Sequence, residues 1–157
     1  MTALEPAALE CLDRTRSAVV NVLMVVGLGI AVAGIYLGRR DRGALLWSER
    51  EMGRGAHALL FVIIVASFAV RRVVASRAAL RDPAGRAPRF FRAHVASAIL
   101  GALAMPLGAL YGWAIRPRLD AVLPFWVAAL ALGVLALPRS YELEGFEEPI
   151  PRAGKPT

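Results

Sequence analysis

Four long apolar blocks carry no Asp, Glu, Lys or Arg, and they constrain this chain more than anything else in it. The first, residues 17–38, is 22 residues long. As a helix rising 1.5 Å per residue it reaches about 33 Å, enough to cross a hydrocarbon core of about 30 Å. The second, 55–70, is 16 residues and spans if Arg54, Arg71 and Arg72 snorkel toward head groups. The third, 93–115, has 23 residues, and the fourth, 121–137, has 17. Tyr111 and Trp113 near one end of the third, and Phe125 and Trp126 near the start of the fourth, fit an interfacial aromatic belt. A soluble helix of such length would show a polar face. The pattern therefore predicts an all-α membrane protein, a bundle of four transmembrane helices at about 17–38, 55–72, 92–115 and 120–137. Residues 1–16 precede this domain (17–138), and a tail, 139–157, follows it.

Charge lies between the blocks. Lys plus Arg number 19 against 12 acids, a net charge of +7. In a soluble chain this excess points to nucleic acid. Here the bases flank membrane segments, so the acidic partner expected is the anionic lipid head group and not nucleic acid. With the N-terminus, the segment 71–92 and the tail on one side, that side holds 12 bases and the other seven. The positive-inside rule then places both termini in the cytoplasm. The expected location is a bacterial inner membrane. Ala31-Val32-Ala33 resembles a signal-peptide cleavage site, but three acids precede the block and the apolar run continues past the site, so a retained span is expected. Cys11 is the only cysteine, which excludes an intrachain disulfide and a cysteine metal cluster.

The connections carry their own signals. Segment 39–54 has five Arg around Ala44-Leu45-Leu46-Trp47, which suits either a surface-lying segment or a solvated hairpin. Segment 71–92 has seven Arg (Arg71, Arg72, Arg77, Arg81, Arg86, Arg89, Arg92) and one acid. Its first half is helix-forming, so helix two is expected to project beyond the bilayer until Asp82-Pro83 ends it. These arginines are candidates for lipid head-group or partner contacts. The tail is acidic and interleaved with apolar residues, and Pro149, Pro151 and Pro156 predict an extended path. Two readings stay open for it. It docks on the Arg-rich segment or a partner through Tyr141, Leu143 and Phe146, or it is a disordered solubilising tail.

Ionisable groups inside a bilayer are functional suspects. Their absence from the blocks weighs against a carboxylate-cycling transporter and a di-metal carboxylate bundle. Asn21, Ser67, Ser97, His57 and His94 remain as polar candidates. Asn21 and His94 fall at similar depth, within reach of an interhelical hydrogen bond. Small residues recur at four-residue steps, as Gly34 and Gly38, as Ala104, Gly108 and Gly112, and as Ala129 and Gly133. That spacing allows close helix approach. Pro106 predicts a kink, with a carbonyl freed about one turn back.

Two histidines open successive apolar helices. His57 stands in Gly53-Arg54-Gly55-Ala56-His57-Ala58-Leu59-Leu60, and His94 in Phe90-Phe91-Arg92-Ala93-His94-Val95-Ala96. The pattern resembles cytochrome b561-type membrane proteins. The resemblance implies a four-helix core, haem b as cofactor, His57 and His94 as its ligands, and electron transfer as the function. One departure is that these two histidines lie near opposite faces and cannot share one haem within a single copy. A haem would then need a second copy's histidine, a Met (Met24, Met52 or Met105) or a partner chain. The residues themselves point first to a non-catalytic role, a small structural or accessory protein associating with itself or a larger membrane complex through Gly/Ala helix faces. The haem-b electron carrier is the alternative.

Overall fold

The structure, a computed structural model, describes residues 6–39, 49–74, 83–115 and 118–143. All regular structure among them is helical. Helix α1 spans Pro6–Arg39, α2 Glu49–Val74, α3 Pro83–Ala102, α4 Ala104–Ala114 and α5 Leu119–Leu135. A short 3₁₀ turn, Ser140–Leu143, ends the described chain.

Three stretches are long and apolar enough to cross a membrane, Ala8–Arg39, Met52–Val74 and Ala87–Ala114. The apolar helix α5 is shorter, at 17 residues.

The helices begin earlier than the apolar blocks. Pro6 opens α1 and Pro83 opens α3, both at the first helical position, where a missing N–H leaves no bond unmade. Segment 6–16 is therefore helix, not a separate tail. Its side chains Leu12 and Thr15 are buried, and Leu12 packs on Phe90 of α3. Likewise 71–74 and 83–92 belong to helices, and 75–82, with Arg77 and Arg81, lies outside the described residues. Trp47 and its neighbours also fall outside them.

The helical ladder is interrupted just before Pro106, where the sequence predicts a kink. Pro106 has no N–H to offer the Ala102 carbonyl. The helix hitches at Leu103, whose N–H reaches back only three residues, to Leu100 O at 3.1 Å. Leu107 N–H then resumes the ladder on Leu103 O at 3.3 Å. Helices α3 and α4 thus follow one another with the single residue Leu103 between them.

Around this pair, α1 packs on α3, α4 and α5, and α2 packs on the same three. The main core is built from Val26 and Leu37 of α1, Leu60 and Ile63 of α2, Ala104 and Tyr111 of α4, and Phe125, Trp126 and Leu132 of α5. Toward one end Val19, Ala98 and Ala136 continue it, and Leu12 with Phe90 closes it.

Glycines set the closest approaches. A methyl group on Gly108 would stand 2.6 Å from Phe125 Cβ. One on Gly112 would stand 2.7 Å from both Leu37 Cδ1 and Val122 Cγ2. Gly34 faces the Trp126 ring at 3.8 Å, and Ala104 is fully buried. Ala129 is buried in the same core, and Gly133 meets Leu23. Gly38, by contrast, has open space around it. The Gly/Ala steps on α4 and α5 are thus consumed by packing within the chain.

Candidate functional site

The polar groups that the helices bring together gather at the end holding the α2 C-terminus. His94 lies on α3, only 1% exposed, with its ring over Phe90 at a centroid distance of 4.3 Å. Its Nδ1–H donates to the Phe90 carbonyl, one turn back, at 2.9 Å. The Nε2 atom faces the Glu142 carboxylate at 2.8 Å. The other carboxylate oxygen of Glu142 accepts from the Arg71 guanidinium, which also donates to the Leu135 carbonyl.

Each contact has a local cause. Leu135 ends α5, where the last carbonyls lack helical donors and carry the negative end of the helix dipole. The Arg71 cation satisfies one of them. Pro138 follows and stops the helix, and the chain turns through Ser140–Leu143, with Glu142 N–H on Arg139 O at 3.0 Å. That turn carries the carboxylate back under α2 and α3. Arg16 of α1 reaches the Pro138 carbonyl at 3.5 Å and adds a fourth element.

The electrostatics are cooperative. Burial pushes the Glu142 carboxyl up. The His94 hydrogen bond and the Arg71 and His94 charges outweigh it, so the net position is below the usual carboxylate range. Both ring nitrogens of His94 face acceptors. The arrangement is filled when the ring carries two protons, and the contact to Glu142 is then an ion pair. Chemically this is a clamp. It fixes the first residues of the tail against α3 and the ends of α2 and α5.

The described start of the tail, 139–143, therefore meets Arg71 of the Arg-rich segment through Glu142, while the side chains of Tyr141 and Leu143 lie outside what is described. The extended path expected for it gives way to a 3₁₀ turn over its first residues, because the carboxylate is drawn to Arg71 and His94. Phe146 lies outside the described residues. Asn21 is exposed, and the His94 nitrogens are occupied by Phe90 and Glu142. Arg71 turns inward into the clamp, whereas Arg72 and Arg92 are exposed. Arg89 is half-buried, and Arg86 sits in the first turn of α3. Ser97 donates to the Ser67 carbonyl at 3.0 Å and ties α3 to α2 just inside the clamp.

His57 stands at the opposite end, near the start of α2. Its Nδ1–H donates to Gly53 O at 2.8 Å, and its ring meets Tyr111 edge-on at 5.7 Å and Phe125 at 5.1 Å. About 21 Å of helix α2 separates His57 from Arg71, the partner of the His94 site. The two imidazoles cannot hold one haem between them, and His94 directs its Nε2 to a carboxylate. Among the described residues no group of three or more His, Cys, Asp or Glu side chains could hold a metal ion.

Glu142 was not legible as a site residue. Its partners lie 48 and 71 positions away, and the one sequence signal is an acidic run following an arginine-rich one. Comparison with known proteins finds no match: no protein-family model, no curated protein and no solved structure is similar to this chain.

Proposed function

We propose that this chain is a small integral membrane protein with four spans and both termini in the cytoplasm, serving a structural or accessory role beside a second copy or a partner subunit. One observation carries the reading. Helices α1 and α2 hardly meet each other and each turns a broad apolar face outward. On α1 it runs through Met24, Leu28, Val32 and Ile35, and on α2 through Phe61, Val65 and Phe68, all of them exposed. Such faces suit lipid and lateral helix contacts. Gly27 and Gly38 on α1 and Gly55 on α2 have open space around them, so they are the small residues left for an approach by another helix. The polar groups at the clamp, by contrast, are already bound to one another, which supports a holding role over a chemical one.

The 12-to-seven distribution of bases supports the orientation, with the clamp on the cytoplasmic side. The apolar composition of α5 and its placement among the three longer helices support a fourth span. Single cysteines at Gly27 or Gly38 in a C11S background, oxidised in nanodiscs and in native membranes, test the association. A disulfide-linked dimer, or a specific crosslink to one partner, is expected at these sites and not at Val26, which is buried. Equal crosslinking at Gly27 and Val26, or none at any lipid-to-protein ratio, would refute the lateral contact.

A further inference from the structure

The end of the molecule opposite the clamp carries unused binding capacity. Arg50 and Arg54 lie one turn apart on α2 and project from the same face. Gly53, Arg54 and His57 share that face, and Tyr111 of α4 closes its floor. Together they line an open cleft of about 500 Å³. None of these five residues is acidic. Asp120, on α5, is engaged by Arg118 at 2.8 Å.

Two details show that the cleft is more than a solvated helix end. Tyr111 is only 6% exposed, and its hydroxyl lies over Gly53 on the wall of the cleft. His57 spends its Nδ1–H on Gly53 O, which fixes the ring and leaves Nε2 as its second polar atom. Arg50 and Arg54 are both exposed.

We propose that this cleft binds a phosphate group, with Arg50 and Arg54 as its charge partners and Tyr111 and His57 as its hydrogen-bonding floor. A tetrahedral anion accepts several donors at once, and the planar guanidinium fork matches two of its oxygens. The site also lies at the end of membrane-crossing helices, the depth at which lipid phosphates sit. A phospholipid head group and a free phosphate share this chemistry, and the experiment separates them. The site stands whether or not the chain associates laterally.

The test uses the full chain in detergent micelles, with the His57 ring signals followed by NMR. Inorganic phosphate is one probe and a short-chain phosphatidic acid the other. A saturable shift with the lipid alone assigns a head-group site, and a shift with both assigns a general phosphate site. R50Q and R54Q are each expected to weaken binding about tenfold, as loss of a charge-assisted contact does. Y111F is expected to weaken it severalfold while leaving the fold intact. The control is R72Q/R92Q, exposed bases at the other end, which should leave the titration unchanged. No saturable shift with either probe overturns the proposal. So does an equal loss in R72Q/R92Q, which would reduce the effect to general attraction of anions by a basic chain.

Discussion

Replacing Gly108 with Ala separates close packing inside one copy from packing between copies. The added methyl would meet Phe125 Cβ at 2.6 Å and the Trp126 ring at 3.2 Å. A Cβ cannot swing aside as a side-chain tip can, so α4 and α5 must part. Overpacking of this kind costs about 1–3 kcal/mol. Against it stands the gain in helix propensity from Gly to Ala, up to about 1 kcal/mol. Gly38→Ala gains the same propensity with nothing in the way. Subtracting the two isolates the clash, so G108A should be less stable than G38A by about 1–3 kcal/mol. Gly112→Ala should fall between them, because the atoms it meets are methyl ends of Leu37 and Val122. Unfolding in mixed micelles with rising SDS, followed by tryptophan fluorescence, reads the order directly. If G38A proves as costly as G108A in micelles that hold single copies, a clash within the copy is not what Gly108 avoids and the intramolecular account fails.

Further outcomes follow from the clamp, the core and Pro106. Because the Glu142 carboxyl sits below its usual range, the clamp contributes stability above an ordinary glutamate value of about 4.3 and loses it as pH falls through the lower folded value. A dye on S140C in a C11S background should thus report a docked turn from pH 7 to pH 5 and release only in stronger acid. E142Q should release it at neutral pH, and a wild-type release on acidification from pH 7 to pH 5 would show that another group holds the turn. Phe90 is 2% exposed, and F90A should cost about 3–5 kcal/mol and loosen the first turns of α1, seen as faster amide exchange around Leu12. P106A should restore the bond from residue 106 to Ala102 O and protect amides around Leu103 from exchange. Unchanged exchange there would mean that contacts other than the missing N–H interrupt the ladder.

Helices were legible in the sequence because apolar runs of bilayer length leave the backbone no other way to satisfy itself in lipid. Their starts were not. The apolar windows mark where lipid begins, while helix continues wherever residues have helical propensity and something to pack on. Leu12, Thr15 and Val19 fall at helical spacing, yet their burial depends on Phe90 and Ala98, distant in the chain. Pro106 was legible since a missing N–H acts locally. Gly108 and Gly112 were legible as close-approach positions, but the identity of the approaching helix was not, and Gly38 has the same spacing with nothing beside it. The expected hydrogen bond between Asn21 and His94 rested on depth alone. Depth does not tell which face a residue takes, and Asn21 faces outward.

The brevity of α5 has a consequence for the lipid around it. Seventeen residues give a rod of about 25 Å, some 5 Å less than an average hydrocarbon core. Arg118 pairs with Asp120 at its start, and Arg71 donates to the Leu135 carbonyl at its end. The longer helices can meet a thin membrane by tilting, but a short helix cannot stretch to meet a thick one. In the four-span arrangement the bilayer must therefore yield at α5, and shorter acyl chains should collect on that flank. The protein would then act on membrane thickness as well as sit in it, and its neighbours in the plane would be chosen partly by their own hydrophobic length.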